Sequence, residues 1–282
     1  MCKPLEPRWK IYLSKLPNKI EMTVSSQSFS ARNAFFTLLK KEIIRFQKVA
    51  FHSIAAPVLS SLLYLIVFGA ALQDKILTGS QTSYLEFLVP GLVMMAILQN
   101  AFANTSSSFV QSKISGTLSF LLVTPLNNIM IASAYVLSAV FRGLVVGLFV
   151  WVGSAIWITP NIGSVFWIVV FALLGAFIMA CLGLITAIWA DRYEQMGVIQ
   201  TFVIMPLTFL SGVFYSCEAL PHPWRDLTVF NPLYYLIDGF RGGFLNHFET
   251  DPLLAVLFGL MACLVTFFIS VWLLRKGYKI KS

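Results

Sequence analysis

Residues 165–189 read VFWIVVFALLGAFIMACLGLITAIW, a stretch without a single charged side chain. As a helix at 1.5 Å per residue it is about 37 Å long, more than the roughly 30 Å of a bilayer's hydrocarbon core. It is apolar on every side, so it cannot be the amphipathic surface helix of a water-soluble domain. Five further runs read the same way: Val49–Leu72, Phe87–Phe109, Ile129–Trp157, Gly197–Tyr215 and Pro252–Leu274. The whole chain agrees with them. It is 58% hydrophobic and only 11% charged, with a mean hydropathy of +0.80, whereas ordinary soluble domains carry about 25% charged residues. Lipid is therefore the solvent, and the sequence predicts an all-α membrane protein with six transmembrane helices.

Orientation follows from lysine and arginine, which are retained on the cytoplasmic side. Residues 1–48 hold ten of them against Glu6, Glu21 and Glu42. With the N-terminus inside, Lys113, Arg192 and the tail residues Arg275, Lys276, Lys279 and Lys281 raise the inner count to sixteen. The outer count is three: Lys75, Arg225 and Arg241. Both termini are expected in the cytoplasm. The net charge of +8 thus reads as an orientation signal and a contact for anionic headgroups, not as a nucleic-acid site, because only membrane helices follow the basic stretch.

The expected organisation is a cytoplasmic leader (1–28), an interfacial amphipathic helix (29–48), a membrane domain (49–276) and a cytoplasmic tail (277–282). In the amphipathic stretch Phe36, Leu39, Ile43, Phe46 and Ala50 recur every three or four residues, while Thr37, Lys41, Arg45 and Lys48 fill the other side. The outer segment 216–251 is too apolar for a free loop. Asn231-Pro232 supplies an N-cap and a first-turn proline, which predicts a short half-buried outer helix from Leu233 to Leu245, its end weakened by Gly239, Gly242 and Gly243. The first long apolar run begins near residue 49, so no cleavable signal peptide is expected.

Chemistry-bearing motifs are sparse. No phosphate-binding loop, no His-Glu-x-x-His and no Gly-x-Ser-x-Gly occurs. The four cysteines make no C-x-x-C pair, and the three histidines are scattered, so neither a metal nor a catalytic site is expected. Arg142 lies inside the third run, close enough to its cytoplasmic end to snorkel. It reads as a structural pair or as the lining of a cavity or interface. Gly143 and Gly147 permit close helix approach, within one subunit or between two. Pro57 and Pro206 each remove a backbone donor and should bend their helices.

Two stretches carry a family resemblance. Residues 116–126 read GTLSFLLVTPL. The outer segment carries Ser211-Gly212-Val213-Phe214, Leu220-Pro221, Trp224, Asn231-Pro232-Leu233, Asp238 and Arg241. Together with the layout of spans over residues 29–276, they resemble the ABC-2 type permeases, the membrane subunits of bacterial ATP-driven exporters. Ser119 stands where members often carry Glu, and Tyr215 where Pro is frequent. The resemblance implies a coupling segment at Lys113, Gly116, Thr117, Leu118, Leu121, Leu122, Thr124 and Pro125. It also implies a second permease copy, a separate P-loop ATPase subunit that holds ATP and Mg, and residence in the bacterial inner membrane. No cofactor is expected on this chain. The substrate implied is an amphiphile such as a lipid-linked saccharide, a lipid or a drug.

The competing expectation is a polytopic enzyme acting on lipids. It needs converging polar groups, for which Glu218, His222, Asp226, Asp238, Arg241 and His247 are the candidates on the outer side. Read without such convergence, these residues form a solvated rim.

Overall fold

The computed structural model describes residues 31–72, 83–124, 126–156, 158, 162–217 and 220–277. The leader 1–28, Lys75, Pro125, Trp157, Glu218 and residues 278–282 lie outside the described residues. Among the described residues all regular structure is helical: α1 (Ala31–Lys48), α2 (Ala50–Leu72), α3 (Tyr84–Ile114), α4 (Thr117–Val123), α5 (Asn128–Ser154), α6 (Val165–Trp189), α7 (Tyr193–Ile199), α8 (Met205–Phe209), α9 (Trp224–Val229), α10 (Pro232–Leu245) and α11 (Pro252–Lys276).

Five of these, α2, α3, α5, α6 and α11, are long and apolar enough to cross a membrane. The fifth run of the sequence, Gly197–Tyr215, does not form one straight helix. It divides into α7, a π-helical turn at Gln200–Ile204 and α8, and the chain turns at Leu210. Pro206 accounts for the change. Its ring has no N–H to donate and would collide with the carbonyl four residues back, at Phe202, so the preceding turn widens. Residues 193–209 span only about 25 Å.

The core is built around α3, which packs against α5, α6 and α10. Within the apolar window of each helix, 83% of α3 is buried, against 28% of α11 and 11% of α2. The central helix is thus the one richest in polar side chains, while α2 and α11 are the least covered by protein. Hydrocarbon leaves no solvent to satisfy polar groups, so they turn inward and bond locally. Thr105 donates to the Ala101 carbonyl (3.4 Å), Ser106 to that of Phe102 (2.8 Å) and Ser112 to that of Ser108 (3.0 Å).

Close approach to α3 depends on missing side chains. A Cβ on Gly143 would sit 2.9 Å from the Ile97 carbonyl oxygen, and one on Gly183 2.6 Å from that of Phe102. A Cβ on Gly147 would collide with the Ile97 side chain. The Gly143/Gly147 face is therefore turned toward α3 of the same chain.

Two local expectations need correction. The glycines of α10 do not fray it: the helix runs to Leu245, and Gly239, Gly242 and Gly243 sit against Phe171, Phe248 and Ile168, where a Cβ would clash. In α1 the face turned inward is Leu38, Glu42 and Phe46, all buried, while Phe36 is exposed. The helix is rotated from its most apolar orientation because Glu42 and Arg45 find partners on α3.

Candidate functional site

A cavity of about 200 Å³ lies between α2 and α3. Its lining is partly polar (Ser60, Ser61, Gln99 and Asn100) and partly apolar (Pro57, Leu92, Met95 and Ala96). Gln99 donates to the Thr208 hydroxyl at 3.4 Å, tying the lining to α8. On the inner side of the cavity Asn100 leads to a polar cluster. Its Oδ1 accepts from Arg142 Nη2 (3.5 Å), and its own Nδ2 donates to the Ala96 carbonyl (3.0 Å).

One helical turn further in, Asn104 is fully buried. Its Oδ1 accepts from Arg142 Nη1 at 3.2 Å and from Arg45 Nη2 at 3.1 Å. Arg45 also pairs with Glu42 through Nε at 3.2 Å and reaches the Asn104 carbonyl at 3.3 Å. Ser108 donates to the same Glu42 carboxylate, and Lys41 lies 3.7 Å from its other oxygen. The Arg142 guanidinium stands over the Phe46 ring, 5.6 Å from its centroid. Arg142 thus has its partners: two amide oxygens on α3 and an aromatic face on α1.

Below this cluster, Gly116 adopts φ +71°, a conformation suited to glycine, and ends α3's run before α4. Leu118 is buried, Leu121 half-buried and Phe120 77% exposed. Ser115 and Thr117 hydroxyls share a hydrogen bond at 2.9 Å, and Thr124 Oγ1 closes the helix on the Leu121 carbonyl at 2.5 Å. The backbone of Leu122 continues α4, while Pro125 lies outside the described residues. The Lys113 ammonium is turned inward. It donates to the carbonyls of Ile188 (3.0 Å) and Ala190 (2.8 Å) and pairs with Asp191 at 3.3 Å. It therefore neutralises the carbonyl end of α6 and clamps the last turn of α3, just ahead of α4, to that helix.

The outer motif forms a second network. Asn231 Oδ1 caps α10 through Leu233 N–H (3.0 Å), and its Nδ2 donates to the Leu207 carbonyl (2.7 Å) and Ser211 hydroxyl (2.8 Å). Asp238 is buried and accepts from the backbone N–H groups of Glu249 (3.2 Å) and Thr250 (2.9 Å) and from the Thr250 hydroxyl (2.6 Å). Burial pushes its carboxyl above the usual range, and these three donors oppose the push. Arg241 Nη2 donates to the carbonyls of Gly212 (2.7 Å) and Val213 (3.3 Å), and the guanidinium lies 3.6 Å from the centroid of the Phe87 ring. Burial lowers Arg241 to about 10, with Asp238 and Glu249 opposing, so it stays charged at neutral pH.

Gly212, at φ +76°, makes the turn that presents those carbonyls. Phe214 stacks on Phe209 (5.3 Å) and meets Phe68 and Tyr64 of α2. Leu220 is half-buried, while Pro221, Trp224 and Pro232 are exposed. Asp238 and Arg241 are thus interior staples, not rim residues. His222 and Asp226 pair at the surface at 3.2 Å, and His247 is exposed elsewhere. Glu249, which accepts from Tyr234 (2.8 Å) and Ser216 (2.5 Å), was absent from the sequence reading. So were Asn100 and Asn104, while Glu42 entered only as a charge against the basic leader. The Asn100–Asn104 spacing of one helical turn in an apolar run was the signal available for the two asparagines.

Buried packing glycines, a helix broken outside a polar cavity, and a short helix slung below it describe a membrane permease. The family model of the ABC-2 type transporters matches residues 33–245, and the chain belongs to that family. The inner membrane transport permease YadH of Escherichia coli K12 is 35% identical over 250 residues, covering 88% of this chain and 97% of the relative. Nodulation protein J of Rhizobium meliloti is 27% identical over 274 residues, covering 95% and 98%. Nodulation protein J of Rhizobium leguminosarum bv. trifolii is 27% identical over 239 residues, covering 84% and 91%.

Proposed function

We propose that this chain is the permease subunit of an ATP-driven exporter that moves an amphiphile, such as a lipid-linked saccharide, a lipid or a drug. It sits in the inner membrane, in line with the name of the YadH relative. It crosses six times, with α7, the π-helical turn and α8 as the fifth crossing, and both termini in the cytoplasm. A separate P-loop ATPase subunit supplies hydrolysis and holds ATP and Mg. A second permease copy completes the cavity on the side where α2 has little protein cover.

The observation that carries this reading is the continuity of α3. One helix of 31 residues holds Gln99 and Asn100 at the cavity and ends at Gly116 and the short helix α4. A push on α4 is transmitted along that rod to the cavity wall. In this reading Lys113, Gly116, Thr117, Leu118, Leu121, Leu122, Thr124 and Pro125 form the coupling element. Leu118 roots it, Lys113 clamps its base to α6, and the exposed Phe120 meets the ATPase. The half-polar, half-apolar lining of the cavity suits a molecule with a headgroup and a hydrocarbon portion. The outer network around Asp238 and Arg241 holds α10 as a cap over the far end.

ATP hydrolysis in purified membranes tests the proposal. The chain alone should hydrolyse none, and the complex with its ATPase should hydrolyse ATP in a manner that Phe120→Ser uncouples. Lipid-modifying activity of the isolated chain would overturn the proposal in favour of a membrane enzyme.

A further inference from the structure

The inner polar cluster is out of charge balance. Among the described residues Glu42 is the only carboxylate it holds; its Oε2 is engaged by Arg45 and Ser108, while Oε1 lies 3.7 Å from Lys41 with no hydrogen-bond donor. Among the described residues Arg142 has no carboxylate within ion-pair distance. Its Nη atoms rest on two neutral amide oxygens that it shares with, or holds beside, a second arginine. A guanidinium at this depth is costly without a counter-charge.

Two buried donors of the cluster are left over as well. Asn104 is fully buried, and because its Oδ1 takes both arginines, its Nδ2 is turned away and has no acceptor. Arg142 Nε has none either. The reverse orientation of the Asn104 amide would set an NH₂ against two guanidinium groups, so the missing partner is an acceptor and not a donor. The site adjoins the cavity through Asn100, which lines that cavity and bonds Arg142.

We infer that Arg142, with Arg45 and Asn104, binds the phosphate group of an amphiphile that enters the cavity from the inner leaflet, and disfavours zwitterionic substrates, whose own cationic group would face the same two arginines. This assignment rests on the permease reading and specifies its substrate class. Arg142 supplies the charge and a planar fork that matches phosphate oxygens. Asn104 supplies a further N–H once the headgroup seats between α1 and α3. The apolar lining at Leu92, Met95 and Ala96 takes the hydrocarbon.

The test is lipid retention by the full-length chain purified in detergent, read by native mass spectrometry with phosphatidylglycerol, phosphatidylethanolamine and inorganic phosphate as probes. The wild-type chain should retain phosphatidylglycerol over phosphatidylethanolamine by about tenfold, because both carry the phosphodiester but only phosphatidylethanolamine brings an ammonium against the two arginines. Arg142→Gln should bring that ratio close to one. Arg142→Lys, which keeps a charge but loses the planar fork, should retain part of the preference, with a ratio between those of wild type and Arg142→Gln. Equal loss in both variants, or an undiminished ratio in Arg142→Gln, would overturn the assignment. Displacement by millimolar inorganic phosphate would assign the site to a free anion and overturn the amphiphile part. The assay needs no ATPase, so its failure leaves the exporter proposal standing, and failure to find an ATPase leaves this result standing.

Discussion

Arg241 and Arg142 are both guanidinium groups enclosed in a lipid-embedded helix bundle, one toward each end, and their surroundings teach different lessons. Arg241 is buried on an aromatic face, bonded to two backbone carbonyls and set in the field of Asp238 and Glu249. Its neighbours are themselves tied to loops: Asp238 to residues 249 and 250, Asn231 to residues 207 and 211. Arg142 has amide oxygens instead of carbonyls and another arginine instead of carboxylates. The outer network holds a turn in place. Among the described residues the inner one is left incomplete, beside a cavity.

The comparison can be broken by mutation. Arg241→Ala should have the largest effect. It strands the Gly212 and Val213 carbonyls, leaves a void against Phe87, and should cost about 3 kcal/mol or more in thermal unfolding of the purified protein. Arg142→Ala should cost less, because its partners are amides that can rebond; equal losses would erase the distinction. Asp238→Asn should cost about 2 kcal/mol, since an amide cannot accept from all three donors now on the carboxylate, and the loss should appear as earlier proteolysis in the 246–251 loop.

At the inner end, Lys113→Met should cost about 1 kcal/mol by leaving the last carbonyls of α6 unmet. That variant also separates a clamp from a docking contact: as a clamp it lowers the melting temperature before it alters partner recovery. The smallest stability change belongs to Phe120→Ser, within about 0.5 kcal/mol because the ring touches little protein. Yet that substitution should reduce recovery of the ATPase more than any of the others.

Much of the bundle was legible because hydrocarbon imposes a length. Val165–Trp189 was read to the residue, and the other long helices begin and end within a few residues of their apolar runs. The fifth run was not, because hydropathy records that Gln200–Phe209 is apolar and not that Pro206 forces a wider turn before it. The rotation of α1 was hidden for a related reason. Apolar periodicity favoured Phe36, but a carboxylate at Glu42 with a ready donor in Ser108 outweighed one phenyl ring left in lipid. The outer motif was legible as a set of residues and Asn231 as a cap. Its purpose was not, because Asp238 and Arg241 bond to backbone groups, which leave no trace in side-chain spacing.

The central claim is that this chain is half of a machine whose motor is another polypeptide. Affinity purification of the full-length chain from its own membrane in mild detergent, followed by identification of what accompanies it, tests that claim most directly. The expected result is a P-loop ATPase without membrane spans, recovered in equal amount with the chain and reduced when Phe120 is Ser. A homogeneous, folded chain recovered repeatedly with no ATPase would contradict it.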